Sequence, residues 1–528
     1  MKKALLALLS LGMAVSFTAC SSSNSGNTKP DDSKTAEMEK PPAAETPDKS
    51  EDKKSGEIVI NDGKPVRLIV DLNNLTPSIS DKPTAENPQV FTSTNLIAEA
   101  FMEKYPNVKI EWARNIPPAN TSDQLMQYLT SAIASDSAPD ILYAFGPVYA
   151  DKNWFMNLND VLQTPNSYVE GNEKWADLFP SYVFDPLKDF NGNIVSIPLT
   201  VFPGPPTAYY YNKEIFQKVG VDVPKDWEQF MEISKKIKDA GYDTVGPWAG
   251  NKTSIVDNWD VQFSVGPAFS MKLKDRLDYD KDGKVDLAEQ IRGAYEGVYF
   301  AENEYVQSFW NLIKRKYAEV LSPGYAKIDY QDEWSKGKLA MIEDGLWRLP
   351  QELSDTQRKF DFGMFPPPIV TDNSSPHAAK IEYTEQGPYQ PAAQHMFNIL
   401  EPSIKAHGGE GVRQAAVEFL KFLTTPENIS MMVLEKKGAA LGAVKGSEVP
   451  PELNDWFKNS FPKVDGTSWL SSPTANGRTD LNRQLDMWFK GMIDDNTFYR
   501  DFDKAMKKDI DSYIQNNGIN TEGWQKGY

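Results

Sequence analysis

What most limits the fold of this chain is a change of hydrophobic period. From Lys64 onward, short apolar runs alternate with amphipathic stretches. Val66-Arg-Leu-Ile-Val70 reads as a strand that can run on to Leu72. Asn95–Tyr105 sets Leu96, Ile97, Ala100 and Phe101 on one helical face, so a helix is predicted there. Val108–Trp112 reads as a second strand, Asp123–Ala134 as a second helix and Pro139–Tyr143 as a third strand. Strand, helix, strand, helix, strand is the order of a parallel sheet with helices on both faces, so the fold class is α/β with a doubly wound lobe.

Ahead of this body stands a leader. Lys2 and Lys3 begin it, Ala4–Phe17 is almost wholly apolar, and Thr18 and Ala19 lead to Cys20. That is the layout of a secretory signal with its cleavage site. It is shorter than the ~20 apolar residues that span a bilayer. Phe-Thr-Ala-Cys resembles the bacterial lipobox, in which the cysteine is acylated, although Phe17 replaces the usual leucine. Residues 1–20 are therefore expected to be a lipoprotein signal, with the protein on the outer face of the cell membrane. Residues 21–56 are mostly Ser, Asn, Pro, Lys, Asp and Glu. Such a segment buries too little apolar surface to offset its ordering entropy, and it reads as a disordered tether. The lipid is then the only membrane contact expected.

About 470 residues follow the tether, more than one core supports, so two lobes are expected. Cys20 is the only cysteine, which leaves the body without disulfides or thiol chemistry. The net charge of −18 opposes nucleic-acid binding, which needs a basic surface. His377, His395 and His407 lie far apart, at none of the zinc-site spacings, and no Gly-x-Ser-x-Gly elbow is present. An enzymatic role is therefore not expected. The 13 Trp and 22 Tyr exceed what packing alone suggests, and some are expected in a polar cleft.

Several segments then occur in a telling order. Phe101-Met-Glu-Lys-Tyr-Pro-Asn-Val-Lys-Ile110 is followed by Ser137-Ala-Pro-Asp-Ile141, Ile197-Pro198 and Tyr209-Tyr-Tyr-Asn-Lys-Glu-Ile-Phe216. Next come Gly220–Phe230 with Trp227, Gly337-Lys-Leu-Ala-Met341, Gly345-Leu-Trp347, Phe362–Pro366 and Ala415–Glu427. Over nearly the whole body this series resembles the extracellular solute-binding proteins of ABC importers. The sugar type is nearest, similar to maltose-binding and alginate-oligosaccharide-binding proteins. The resemblance implies a two-lobed periplasmic-binding-protein-like fold with a hinge and an interlobe cleft. It implies a monomer that captures an oligosaccharide and hands it to an ABC permease. Lobe 1 is expected at 57–197 and about 370–440, and lobe 2 at 198–369 and about 441–528.

One motif stands on its own spacing. Asp278-Tyr-Asp280-Lys-Asp282-Gly283-Lys284-Val-Asp286-Leu-Ala-Glu289 fits the EF-hand loop at every diagnostic position. Carboxylates at loop positions 1, 3 and 5 converge on one hard cation, and Gly283 permits the sharp turn. Lys284 offers its carbonyl, Asp286 binds directly or through water, and Glu289 can bind bidentately. A helix over Leu287–Phe300 should follow. Because the loop is single, a structural Ca2+ in lobe 2 is expected rather than a switch. Some alginate-binding relatives carry such a site.

Sugars offer hydroxyls for hydrogen bonds and C–H faces for aromatic stacking. By resemblance, Trp347 is a stacking residue, with Arg348 beside it. Trp248 and Trp259 lie in a loop-rich stretch where relatives place another aromatic, and Trp469 where a late one closes the pocket. Asn73, Asn74, Tyr143 and Phe145 follow strands of lobe 1, whose carboxyl ends line the crevice of α/β lobes. Tyr383 and Gln386 sit in a Gly/Pro-rich loop. Trp112, Trp154 and Trp227 are expected to pack. A peptide carrier, a noncatalytic glycan sensor or adhesin, and a secreted glycosidase remain the alternatives.

Overall fold

Each expected strand of lobe 1 forms, because its alternating apolar residues find a shared core. The computed structural model describes residues 58–80, 82, 90–114, 116, 122–189, 192–205, 207–247, 255, 258–321, 329–384, 393–464 and 469–528. The leader, Cys20 and the tether lie outside the described residues, and Ile58–Tyr528 is one compact unit. Strands β1 (Val66–Val70), β2 (Val108–Trp112) and β3 (Ile141–Tyr143) are parallel. The helices between them run Ser93–Lys104 and Ser122–Ala134. Strand β4 (Ile197–Val201) is buried along its whole length, as a sheet strand covered on both faces must be.

Strands β5 (Thr207–Asn212), β6 (Asp243–Gly246), β7 (Leu339–Gly345) and β8 (Phe362–Phe365) build a second sheet, in the order β6-β7-β5-β8. β9 (Tyr383–Thr384) pairs with β12 (Phe461–Pro462) in a small ribbon. β10 (Ala393–Ile399) and β11 (Leu441–Gly442) return to the first sheet, whose order is β11-β4-β10-β3-β1-β2. The protein is thus a mixed α/β molecule with two sheet-centred lobes.

The lobe limits differ in detail from the sequence reading. Ile369, Val370, Ala378 and Ile381 pack in the second core, so the chain returns to lobe 1 later than about 370. β11 still pairs with β4, so it leaves the first sheet only after Gly442. The helix after the acidic loop ends at Tyr295, not Phe300. There Gly297 turns left-handed at φ +86°, and the Val298 amide bonds back to the Gly293 carbonyl at 2.8 Å. Among the described residues no helix is long and apolar enough to cross a membrane.

Topology fixes where a site can form. β10 is antiparallel to both β3 and β4, so β4 runs with β1 and β3. The carboxyl ends of β1, β3 and β4 therefore share one edge. In the second sheet β6 and β7 are parallel, and Gly345 at the end of β7 pairs with Thr207 at the start of β5. The crossing from β4 to β5 thus joins the carboxyl edges of both sheets.

Candidate functional site

Phe202 leaves β4 at this crossing, and its ring lies 6.5 Å from that of Trp347. Trp347 meets Trp259 edge-on, with centroids 5.7 Å apart and planes at 71°. Phe202, Trp347 and Trp259 form an aromatic wall between the two sheets. Trp347 is 40% exposed, and Trp259 is buried behind it. The three rings together give the crossing an apolar surface suited to stacking against a flat ligand face.

The local sequence holds Trp347 in place. β7 ends at Gly345, and a 3-10 turn, Leu346–Arg348, follows. The indole folds back over Gly345 so closely that a Cβ there would lie 2.3 Å from ring atoms. Its N–H is hydrogen-bonded to the Asp344 carboxylate. Burial raises the pKa of Asp344, and the Arg348 charge pulls it back. This gives the Gly345-x-Trp347 pattern a physical reason.

Arg348 points away from the wall. Its guanidinium is buried and pairs with Asp344 at 3.0 Å and Glu352 at 2.6 Å, with Gln331 Oε1 at 2.5 Å. The expected ligand role of Arg348 is therefore replaced by an internal one. Trp469 is also core. It stacks on Phe309 with centroids 4.1 Å apart at 11°, and Tyr299 meets it edge-on at 5.2 Å. Tyr383 is half-buried in the β9–β12 ribbon against the second core, and burial pushes its phenol up to about 12. Trp248 and Gln386 lie outside the described residues.

Across the crossing, the lobe 1 candidates stand together on the carboxyl edge. Asp71, just past β1, is buried, and its carboxylate accepts the amides of Asn73, at 2.8 Å, and Tyr143. Burial raises its pKa against those two bonds. Asn73 takes φ +52°, and both Asn73 and Asn74 are exposed. Tyr143 is half-buried against His395 and Phe397, and Phe145 is 44% exposed. Sequence reasoning placed these four but missed Phe202 and Asp71. The Phe202-Pro-Gly-Pro-Pro run was the available signal for a crossing residue.

The histidines are held in structural surroundings. His395 is buried beside the Thr200 hydroxyl at 2.6 Å, and burial, with the Lys436 charge, pushes it down to about 3. His407 Nδ1 lies 2.8 Å from Asp140, and its Nε2 lies 3.1 Å from the Asp136 carbonyl. His377 is 4.0 Å from Glu304. Trp227 packs in the second core, Trp154 stacks on Tyr149 and Trp112 bonds Asn95.

The acidic loop takes a compact form. Carboxylate oxygens of Asp278, Asp280 and Asp282 lie within 4.8 Å of one another. Asp278 is only 8% exposed, and its Oδ1 has no hydrogen-bond partner. Its Oδ2 accepts the Gly283 amide at 3.1 Å, with Gly283 at φ +82°. Glu289 accepts the amides of Tyr279 at 2.6 Å and Asp286 at 3.1 Å, and Asp286 caps the following helix. The Lys284 ammonium reaches Asp185 of lobe 1 at 3.5 Å.

Comparison with known proteins agrees with this geometry. Residues 85–429 match the bacterial extracellular solute-binding protein family. Over 283 residues the chain is 27% identical to an uncharacterized ABC transporter extracellular-binding protein of Pyrococcus horikoshii. That match covers 52% of this chain and 57% of the relative, so it spans little more than half of either. A family 1 extracellular solute-binding protein of Bifidobacterium longum subsp. infantis superposes with a TM-score of 0.51 at 17% identity, covering 85% of this chain and all of that one. A chitin oligosaccharide binding protein gives 0.51 at 19%, with 85% and 100% covered. RafE in complex with raffinose gives 0.52 at 14%, with 84% and 99% covered. At these identities the likeness is one of fold.

Proposed function

This chain belongs to the bacterial extracellular solute-binding protein family, and from that premise we propose that it is a lipid-anchored carrier of oligosaccharides. It takes a sugar into the cleft between its lobes and passes it unchanged to an ABC permease. The observation that carries this reading is the half-exposed Trp347, backed by Trp259 and Phe202 where the carboxyl edges of both sheets meet. A sugar ring stacks on the indole, while its hydroxyls meet Asn73, Asn74 and Tyr143. Lobes joined by crossing strands close over a ligand by hinge motion. The structural relatives that bind chitin oligosaccharide and raffinose support the ligand class.

Calorimetry with raffinose and with chitin- and xylan-derived oligosaccharides tests it, with chromatography of the sugar afterwards. Trp347→Ala should weaken binding by roughly 1–3 kcal/mol, with base–aromatic stacking as the nearest measured analogue. Cleaved sugar would make the protein a hydrolase, and tight binding to peptides alone would sink the carbohydrate reading. The anchor is the lipid on Cys20. Acyl labelling of the cells should be lost in Cys20→Ala, and persistent label would refute it.

A structural Ca2+ in the acidic loop belongs to the same proposal. The donor set suits a hard cation: three convergent carboxylates, with the orphaned oxygen of nine-tenths-buried Asp278 among them. Asp278, Asp280, Asp282, the Lys284 carbonyl, Asp286 and Glu289 would hold it. Outside cells a Kd of about 10⁻⁴–10⁻³ M suffices. A ligand that binds only the folded state stabilises it by mass action, so chelation should lower the melting temperature. Glu289→Gln should remove that difference. A chelator-insensitive melting point in wild-type protein would count against the site.

A further inference from the structure

Trp259 is bracketed by two buried anchors on one helix. The residue before it, Asn258, donates through Nδ2 to the Tyr317 hydroxyl at 2.7 Å. The residue after it, Asp260, accepts the Lys316 ammonium at 2.5 Å. Lys316 and Tyr317 are consecutive on the helix Glu304–Glu319. The same ammonium donates to the Tyr209 hydroxyl of β5 at 2.8 Å and lies 3.4 Å from Glu343 of β7. Glu343 stands four residues ahead of Trp347, on the strand whose end carries that indole. One lysine therefore ties together the segment bearing Trp259, the strand bearing Trp347 and the strand that enters from the crossing.

The group is sealed. Lys316, Asp260, Glu343 and Tyr209 are each at most 1% exposed. Burying such a cluster rarely gains stability over apolar side chains of equal volume, because desolvation offsets the attraction. Hydrogen bonds are directional, however, and apolar packing is not. The cluster fixes the relative placement of the elements it joins. Packing alone would let Trp259 slide against Trp347 at small cost, whereas bonds on both of its sequence neighbours do not.

We propose that Lys316 and Tyr317 are positioning residues for the sugar-binding wall, holding Trp259 behind Trp347 so that the exposed indole keeps one orientation. This rests on the reading of that wall as the ligand surface. Neither side chain touches the ligand; both act through the two tryptophans.

The test uses the whole mature protein with 5-fluorotryptophan incorporated. The fluorine resonances of Trp259, Trp347 and Trp175 are assigned by single Trp→Phe variants. Trp175, buried in lobe 1 against Thr424, is the internal control. Spectra of Asn258→Ala, Lys316→Met and the conservative Lys316→Arg are compared with wild type well below their melting temperatures. Asn258→Ala keeps the ion cluster whole, so it serves where Lys316→Met fails to fold. The resonances of Trp259 and Trp347 should shift or broaden in Asn258→Ala and Lys316→Met, that of Trp175 should not, and Lys316→Arg should restore the wild-type pattern in part. Affinity for whichever of raffinose, chitotriose or xylotriose binds wild type should fall about tenfold, the size of coupling usual within one contact network. Unmoved Trp259 and Trp347 resonances in a folded variant overturn the proposal. Shifted resonances in a protein that binds none of these sugars uphold the positioning and instead remove the sugar reading.

Discussion

At the cleft edge of lobe 1 the side chains are placed by main-chain bonds, whereas at that of lobe 2 they are placed by buried ions. Asp71 gathers the amides of Asn73 and Tyr143, and the one buried imidazole nearby, His395, is kept neutral against Thr200. In lobe 2, Lys316 stays charged although burial opposes it, because Asp260 and Glu343 outweigh that cost. Arg348 sits in a second ionic group next to it in the fold, with Asp344 and Glu352. Main-chain bonds survive most substitutions. A buried charge does not survive loss of its partner, which costs about 3–5 kcal/mol. The aromatic wall is therefore more finely placed than the polar edge opposite it, and also more fragile.

The sharpest way to separate the two edges is Gly345→Ala. An added Cβ would meet the Trp347 ring at 2.3 Å. Overpacking of this kind costs ~1–3 kcal/mol unless the ring moves away. Sugar affinity should fall nearly as far as in Trp347→Ala, and tryptophan fluorescence should change, while Asn73→Ala should have the smaller effect on both. Equal losses in the two variants would erase the distinction.

Acidity should act on the two edges in opposite directions. Burial pushes Glu343 from 4.5 up to about 7, against the pull of Lys316. Between those values the folded state holds more protons than the unfolded state, so stability falls as pH rises through that window and is flat above it. Because the His395 window overlaps this one with the opposite sign, the slope is read as the difference in urea midpoint between wild type and Glu343→Gln, which should fall as pH rises from 4.5 to about 7. His395 gives the reverse signal. Its folded pKa of about 3 lies below the ordinary 6.5, so the unfolded state holds more protons. That stabilisation is complete above 6.5 and is lost as pH falls through the window. His395→Gln should flatten that limb alone.

How much of this was legible follows from which contacts are local. The strands at Val66 and Val108 were plain, because alternation along five residues reports a half-buried strand without reference to the rest of the chain, and the one at Ile141 showed as a short apolar run. The insertion of β10 between β3 and β4 was not, since antiparallel pairing with a segment far downstream leaves no local mark. The compact turn of the acidic loop was legible because the residues that shape it, from Asp278 to Glu289, all lie within twelve consecutive positions. Tryptophans were the hardest. Trp347, in Gly345-Leu-Trp, and Trp469, in Thr467-Ser-Trp, both stand in loop-like sequence, yet one is 40% exposed and the other stacks on Phe309. Arg348 adjoins Trp347 in sequence, but the 3-10 turn sends it to Glu352 instead. The Lys316 group draws on four elements, and no spacing in the chain announces it.

The most direct measurement of where the ligand lies is a crystal structure with the tightest-binding oligosaccharide of the panel. A sugar ring should stack on Trp347, with Trp259 and Phe202 behind it and hydroxyls on Asn73, Asn74 or Tyr143. A sugar bound away from Trp347, or in contact with lobe 1 alone, would contradict it.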